Sequence, residues 1–380
     1  MKIVIAPDSF KESLSAKQVC ECIEAGFAQI FPKAEYVHLP LADGGEGTVE
    51  VLMQGLEGEV RQSKVTGPLG EVITARWALL DGGQTALIEF AAASGLDLVP
   101  HEQRNPALTT SYGTGELIKE ALNLGVSKVL LGLGGSATND AGAGIVQALG
   151  VKLIDEQGNE LARGGAALVD ITTIDFSDIH PRTKEVEFIV ACDVENPLIG
   201  ENGASYTFGP QKGATPELVK QLDIAVAHFA AVSAKTTAID HSGTVSFGAA
   251  GGTPMGLSLL FDIQVKQGIE MVLDVLDADK VLEGADIVIT GEGQMDNQTL
   301  EGKAPFGIAK RALRKDIPII GIAGSLGQEI DELYSTINCT FGTVRSPQPL
   351  EQVLTEARSN LIRTARNIAA TLKLGAKILD

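Results

Sequence analysis

Apolar positions recur along this chain at two periods, and the way the periods alternate predicts an α/β protein. Near-continuous apolar runs read as buried strands at Ile3–Ala6, Tyr36–Leu39, Val129–Leu131, Glu187–Cys192, Asp286–Thr290, Pro318–Ala323 and Cys339–Val344. Between them the spacing lengthens to the helical period. Val19, Ile23, Phe27 and Ile30 follow a Ser15 N-cap, and comparable patterns predict helices over Glu46–Leu56, Thr114–Leu124, Thr215–Ala234, Lys303–Leu313 and Leu350–Leu372. One stretch departs from the alternation. Glu59–Thr66, Glu71–Leu80 and Thr85–Phe90 read as a meander, with turns at Gly67-Pro68-Leu69-Gly70 and Asp81-Gly82-Gly83.

That departure sets the domain organisation. Residues 1–57 and 277–380 together supply about five parallel strands, enough for one doubly wound sheet. The expected fold is therefore α/β: a discontinuous, doubly wound parallel-sheet domain, with a second α/β domain of mixed sheet inserted over 58–276. The length of 380 residues exceeds a usual single domain, and 44% hydrophobic residues suffice for two cores.

Composition narrows the class of partner. A formal net charge of −19 and only 4% aromatics argue against nucleic acid and against anionic membranes. No apolar run approaches the ~18 residues of a membrane span, and Met1–Ile5 enters a strand with no secretory pattern before it. Cys20, Cys22, Cys192 and Cys339 lack zinc-ligand spacing and read as free thiols of a reducing cytoplasm. Small-molecule substrates remain. An anionic one must meet a local positive site or a bound cation, and carboxylates beside the glycine loops make Mg²⁺ the natural candidate.

The most informative stretch is Lys128–Gly144. A short strand runs into Gly132, Gly134, Gly135 and Ser136, then Thr138, Asn139 and Asp140, then a helical pattern. This order aims backbone N–H groups and a helix dipole at one spot, which favours an anion such as phosphate. The stretch alone leaves two other readings. Gly132-x-Gly134-x-x-Ala137 with Asp155 fits a dinucleotide fingerprint, and a bare strand-to-helix turn is the third.

Other runs combine Gly, Ser or Thr, Asp and Lys at the ends of predicted elements. Asp8-Ser9-Phe10-Lys11 follows the first strand, Asp43-Gly44-Gly45-Glu46-Gly47-Thr48 the second, and Gly291-Glu292-Gly293-Gln294-Met295-Asp296 the strand Asp286–Thr290. In a doubly wound sheet these three share the carboxyl edge, where ligands bind. In the inserted region, Thr109–Glu116 opens a helix, Asp193 stands just past a buried strand, and Lys212 lies between glycines, where it can reach a phosphate as a point charge. There is no Walker P-loop, protein-kinase signature, Gly-x-Ser-x-Gly elbow or His-Glu-x-x-His. The five histidines avoid the glycine runs, so a base in this chain is expected to be a carboxylate.

Taken together, the runs resemble the type-1 glycerate kinase family. The resemblance is carried by Ile5–Lys11, Ala42–Thr48, Gly134–Asp140, Cys192-Asp193-Val194, Asn196-Pro197-Leu198, Phe208–Ala214, Gly248–Gly252, Thr290–Gly293, Asp296, Gln298-Thr299 and Gly302-Lys303, in order and from end to end. It implies a flavodoxin-like domain with an inserted α/β domain, an active site in the cleft between them, ATP with Mg²⁺, and commonly 2-phosphoglycerate as product. A 3-kinase or a kinase of a related hydroxy acid is the near alternative. An NAD-linked dehydrogenase and a non-catalytic binding module are the distant ones.

Roles for individual residues follow as inference. Asp193 is the expected base, with Lys212 and Lys11 offsetting charge on the transferred group. Gly134, Gly135, Ser136, Thr138, Asn139 and Asp140, with Gly291, Glu292 and Gly293, are expected on the nucleotide. Asp8, Ser9, Asp43, Gly44, Gly45 and Glu46 are expected on glycerate, and Asp43 and Asp296 on the metal.

Overall fold

The computed structural model describes residues 1–43, 48–56, 58–300 and 302–379. Gly44, Gly45 and Glu46, three of the expected glycerate contacts, lie outside them. The strands in chain order are β1 (Lys2–Ile5), β2 (Glu35–His38), β3 (Glu59–Thr66), β4 (Val72–Leu80), β5 (Thr85–Glu89), β6 (Lys128–Gly132), β7 (Lys152–Ile154), β8 (Thr173–Asp175), β9 (Glu187–Ala191), β10 (Ile263–Lys266), β11 (Ile287–Met295), β12 (Ile319–Leu326) and β13 (Cys339–Gly342). The chain divides into two compact units: Met1–Gly55 with Gln267–Asp380, and Leu56–Lys266.

The discontinuous unit is built on an all-parallel sheet of order β2-β1-β11-β12-β13. Counted within the unit this is 2-1-3-4-5, the flavodoxin-like order, with its topological switch point between β1 and β11. Alternate side chains Ile3, Ile5, Ile289, Ile320 and Ile322 form one core with the helices Ala16–Phe27 and Leu350–Leu379. Ser15 closes a capping box with Gln18 at the start of the first of these helices. Helix Ala304–Leu313 packs on β11 and β12.

The second crossing between units lies at Lys266–Gln267, ten residues before the expected 276 (276 − 266). The reason is helix Gly268–Val275. Its Ile269 and Leu273 lie where a Cβ on Gly307 would be, and its Glu270 and Asp274 pair with the buried guanidinium of Arg311 at 2.7 and 2.6 Å.

The contiguous unit carries a mixed sheet of order β10-β9-β6-β5-β4-β3. β3, β4 and β5 are antiparallel, as the turn signals at Gly67–Gly70 and Asp81–Gly83 require, while β5, β6, β9 and β10 run parallel. The carboxyl ends of those four strands therefore share one edge. β7 does not join this sheet; it pairs with β8 in a separate two-stranded sheet.

Candidate active site

Each unit gathers polar residues at the carboxyl edge of its sheet. In the contiguous unit, Gly132 of β6 pairs with Ala191 of β9, and Leu133 N–H donates to the Ala191 carbonyl at 3.3 Å. Gly134 and Asp193, each two residues further on, thus leave adjacent strands side by side. Gly134 and Gly135 are exposed, Gly135 has φ of 69°, and a Cβ on Gly134 would meet nothing within 4 Å. This short turn is the part of the loop that presents backbone to a ligand. Asp193 is exposed beside it. The Cys192 thiol donates to the Val194 carbonyl at 3.3 Å, which steadies the backbone on either side of Asp193.

Behind the turn the loop is closed. Lys212, only 1% exposed, ends a short helix Pro210–Lys212; its Nζ donates to Ser136 Oγ at 2.9 Å and to the Thr138 carbonyl at 2.7 Å. Burial pulls its ammonium down to about 7, and the charge of Asp140 works in the opposite direction. Asp140 is fully buried. Its carboxylate accepts from Ser111 N–H and Oγ–H, both at 2.8 Å, and from the amides of Gly142 at 3.2 Å and Gly144 at 3.3 Å. Burial pushes that carboxyl up, against all four donors. Asn139 Nδ2 donates to Ser205 Oγ at 2.9 Å, while Thr138 Oγ1 and Asn139 Oδ1 have no partner among the described residues.

The helix expected directly after the glycine loop begins only at Ala143, behind a left-handed Gly142. A direct ligand contact for Thr138, Asn139 or Asp140 is not what the geometry offers: these side chains are buried in the body of the unit and build the loop instead. The dinucleotide reading fails at Asp155. That residue caps its own turn, accepting from the amides of Gln157 at 2.9 Å and Asn159 at 2.8 Å, next to the isolated β7–β8 hairpin rather than a neighbouring parallel strand.

In the discontinuous unit, Asp8 follows β1, Asp43 follows β2, and Glu292 lies within β11, which runs on through Met295 rather than ending at Thr290. Residues 291–293 are thus strand, with Gly291 and Glu292 paired to β12, not loop. Asp8 N–H donates to the Gly291 carbonyl at 2.8 Å, tying the end of β1 to β11. The three carboxylates line one cavity of about 480 Å³, together with Ser9, Lys11, Gly293 and Lys303.

Burial pushes Asp8 up to about 7, opposed by the Ser9 amide at 2.6 Å and reinforced by the charges of Asp43 and Glu292. Glu292 is also pushed up by burial; Thr299 Oγ1 at 2.7 Å and Lys303 Nζ at 3.5 Å hold it back. Asp296 is not among the residues lining this cavity. It caps the turn Asn297–Leu300, accepting from the Gln298 amide at 3.0 Å, and lines a separate, shallower depression. Among the described residues no three His, Cys, Asp or Glu side chains stand close enough to hold a metal ion by themselves.

The sequence model of the Glycerate kinase family matches residues 3–373. The chain belongs to the glycerate kinase family. It is 50% identical over 373 residues to the glycerate kinase of Haemophilus influenzae, covering 98% of this chain and 99% of that one. It is 48% identical over 378 residues to the glycerate 2-kinase of Escherichia coli K12, covering 99% of the chain here and 99% of that protein. The crystal structure of a candidate glycerate kinase 2 from Salmonella typhimurium LT2 superposes with a TM-score of 0.90 at 49% identity, covering 99% of each chain.

Two groups of residues at these sites escape sequence reasoning. Ser111, which anchors Asp140, carries no signal beyond its place in a Thr/Ser run. The apolar wall of the 480 Å³ cavity, formed by Val344, Leu350, Val353, Leu354 and Ala357, reads in the sequence as the core stripe of a helix and its approach.

Proposed function

We propose that this protein is an ATP-dependent glycerate kinase that phosphorylates D-glycerate at the 2-hydroxyl to give 2-phosphoglycerate. The observation that carries the reading is 48% identity across 99% of the Escherichia coli glycerate 2-kinase. Phosphoryl transfer asks the protein for positioning and charge neutralisation more than for covalent chemistry. The Gly134–Ser136 turn offers backbone amides to an anionic group of the reactants, with the Lys212 ammonium fixed beneath it. Asp193, exposed next to that turn, is the group we assign to accept the hydroxyl proton. Lys11 supplies positive charge at the cavity of the discontinuous unit.

Mg²⁺ fits the carboxylate cavity through the chemistry of its donors. Asp8, Asp43 and Glu292 are hard oxygen ligands, and a divalent cation would relieve the mutual repulsion that helps raise Asp8. Since the described residues do not complete a coordination shell, the remaining ligands would be phosphate oxygens and water, as is usual for this ion. Bound there, Mg²⁺ would supply charge neutralisation to the phosphates. The test is phosphorus NMR of the product formed from ATP and D-glycerate. A single 2-phosphoglycerate resonance is expected; a 3-phosphoglycerate resonance overturns the regiochemistry, and no new phosphomonoester overturns the activity.

A further inference from the structure

We infer that the 480 Å³ cavity of the discontinuous unit is the nucleoside site, receiving a purine base against the wall formed by Val344, Leu350, Val353, Leu354 and Ala357. The inference rests on the kinase reading above and adds where the nucleotide's base and ribose lie. Four observations converge on it. The cavity runs along the carboxyl edge of the sheet from the ends of β1 and β11, the topological switch point of a 2-1-3-4-5 order, past the ends of β12 and β13; this is the edge at which open α/β sheets take up nucleotide-like ligands. Its volume falls within the range of about 300–1,000 Å³ that pockets for drug-sized ligands occupy, far more than a three-carbon acid fills.

The cavity also has two chemically different ends. One is apolar, and on it Leu350 is left 67% exposed, a surface that gains from being covered. Glycerate is polar at every carbon and has nothing to lay on such a wall, whereas a purine does. The other end carries Asp8, Asp43 and Glu292 with Lys11 and Lys303. The cation those carboxylates would hold and the two lysines suit phosphate oxygens, and the Ser9 and Ser325 hydroxyls of the same lining can hydrogen-bond a ribose.

The arrangement differs from what the motifs alone suggest. Asp8 and Asp43 stand in runs expected to bind glycerate, yet they share their cavity with an apolar wall contributed by the first turns of the last helix and the segment before it. A nucleoside satisfies both ends at once.

The experiment is calorimetric titration of the full chain with adenosine and with Mg-ADP, alongside steady-state kinetics, for wild type, Leu354→Asp and Leu354→Met. In Leu354→Asp the Kd for adenosine and Mg-ADP and the KM for ATP are expected to rise at least ~10-fold, about 1.4 kcal/mol. The KM for glycerate should stay within twofold of wild type, and Leu354→Met, which keeps an apolar side chain on the wall, should shift nucleotide binding far less than Leu354→Asp. A rise in the glycerate KM with nucleotide binding unchanged assigns the cavity to the acceptor and overturns the inference, as does no change in either. Should Leu354→Asp fail to fold, Leu350→Asp, at the exposed end of the wall, replaces it with the same expected outcomes. The binding arm does not depend on turnover. A wild type that binds adenosine but phosphorylates no glycerate would overturn the kinase reading and leave the nucleoside site standing.

Discussion

Lys212 and Asp8 both titrate near neutrality, for the same physical reason and with opposite consequences. Burial disfavours the charged form of each, lowering the lysine to about 7 and raising the aspartate to about 7. Folded Asp8 binds more proton than unfolded Asp8 between pH 3.8 and about 7, so its contribution to stability is present below that window and is lost as pH rises through it. Folded Lys212 binds less proton than unfolded Lys212 between about 7 and 10.5, so stability is regained as pH rises through that range. Melting temperatures of wild type, Asp8→Asn and Lys212→Met from pH 5 to 10 separate the two. The wild-type-minus-Asp8→Asn difference should fall with pH below 7, and the wild-type-minus-Lys212→Met difference should rise above 7. Parallel curves would refute the assignment of either group. At this scale the sequence shows which side chains are present, and a lysine between Gly209 and Gly213 is visible there. Its burial is not, because that depends on Ser136 and Thr138, more than seventy positions earlier in the chain.

At the scale of elements, the first and last helices of the discontinuous unit meet at Gly26. A Cβ there would stand 2.6 Å from the Ile362 carbonyl oxygen, 2.7 Å from Ala365 Cβ and 2.8 Å from the Arg366 nitrogen. Backbone cannot yield as a flexible side chain can, so Gly26→Val should cost about 2 kcal/mol or more in urea denaturation. Gly375→Val is the control. No atom lies within 4 Å of the Cβ it adds, and stability should be unchanged or slightly raised. Equal stabilities in the two variants would overturn the packing account of Gly26.

Most elements are legible in the sequence because each carries its own period. The misreadings are of boundaries and of partners. Thr138–Asp140 reads as a ligand-contacting loop ahead of a helix; the tertiary fold instead buries it and engages Asp140 with Ser111 and with the Gly144 amide at the start of that helix. A left-handed Gly251, whose Cβ would collide with the Thr138 carbonyl, shows how closely a distant segment presses on this loop. β11 reads as ending at Thr290 because Gly-Glu-Gly is poor strand sequence, yet pairing with β12 carries it through Met295.

Over the whole molecule, a chain of net charge −19 must accept a polyanionic nucleotide. On the assignment proposed above, Asp8, Asp43 and Glu292 of its cavity would repel the phosphates, and a cation between them would relieve that repulsion. Stripping divalent ions with EDTA should therefore lower ADP release with ATP and glycerate by about 100-fold or more, restored by Mg²⁺. ADP release that survives EDTA would rule out a role for the cation.

The sequence by itself determined the α/β alternation, the interruption that splits one unit in two, and the ordered set of motifs that identifies the family. These are local properties, set by side-chain periodicity and by runs of a few residues. The tertiary structure decided which of those residues meet. Ile3 pairs with Ile287, and Asp8 comes to share a cavity with Glu292 and with Leu354 near the other end of the chain. It removed Asp155 from the main sheet, turned Asp140 inward, and gave Asp8 an apolar neighbour that no motif announces. The physical reason is that strand register and helix packing are fixed by which faces can be buried together, and burial is a property of the closed fold rather than of any window of sequence.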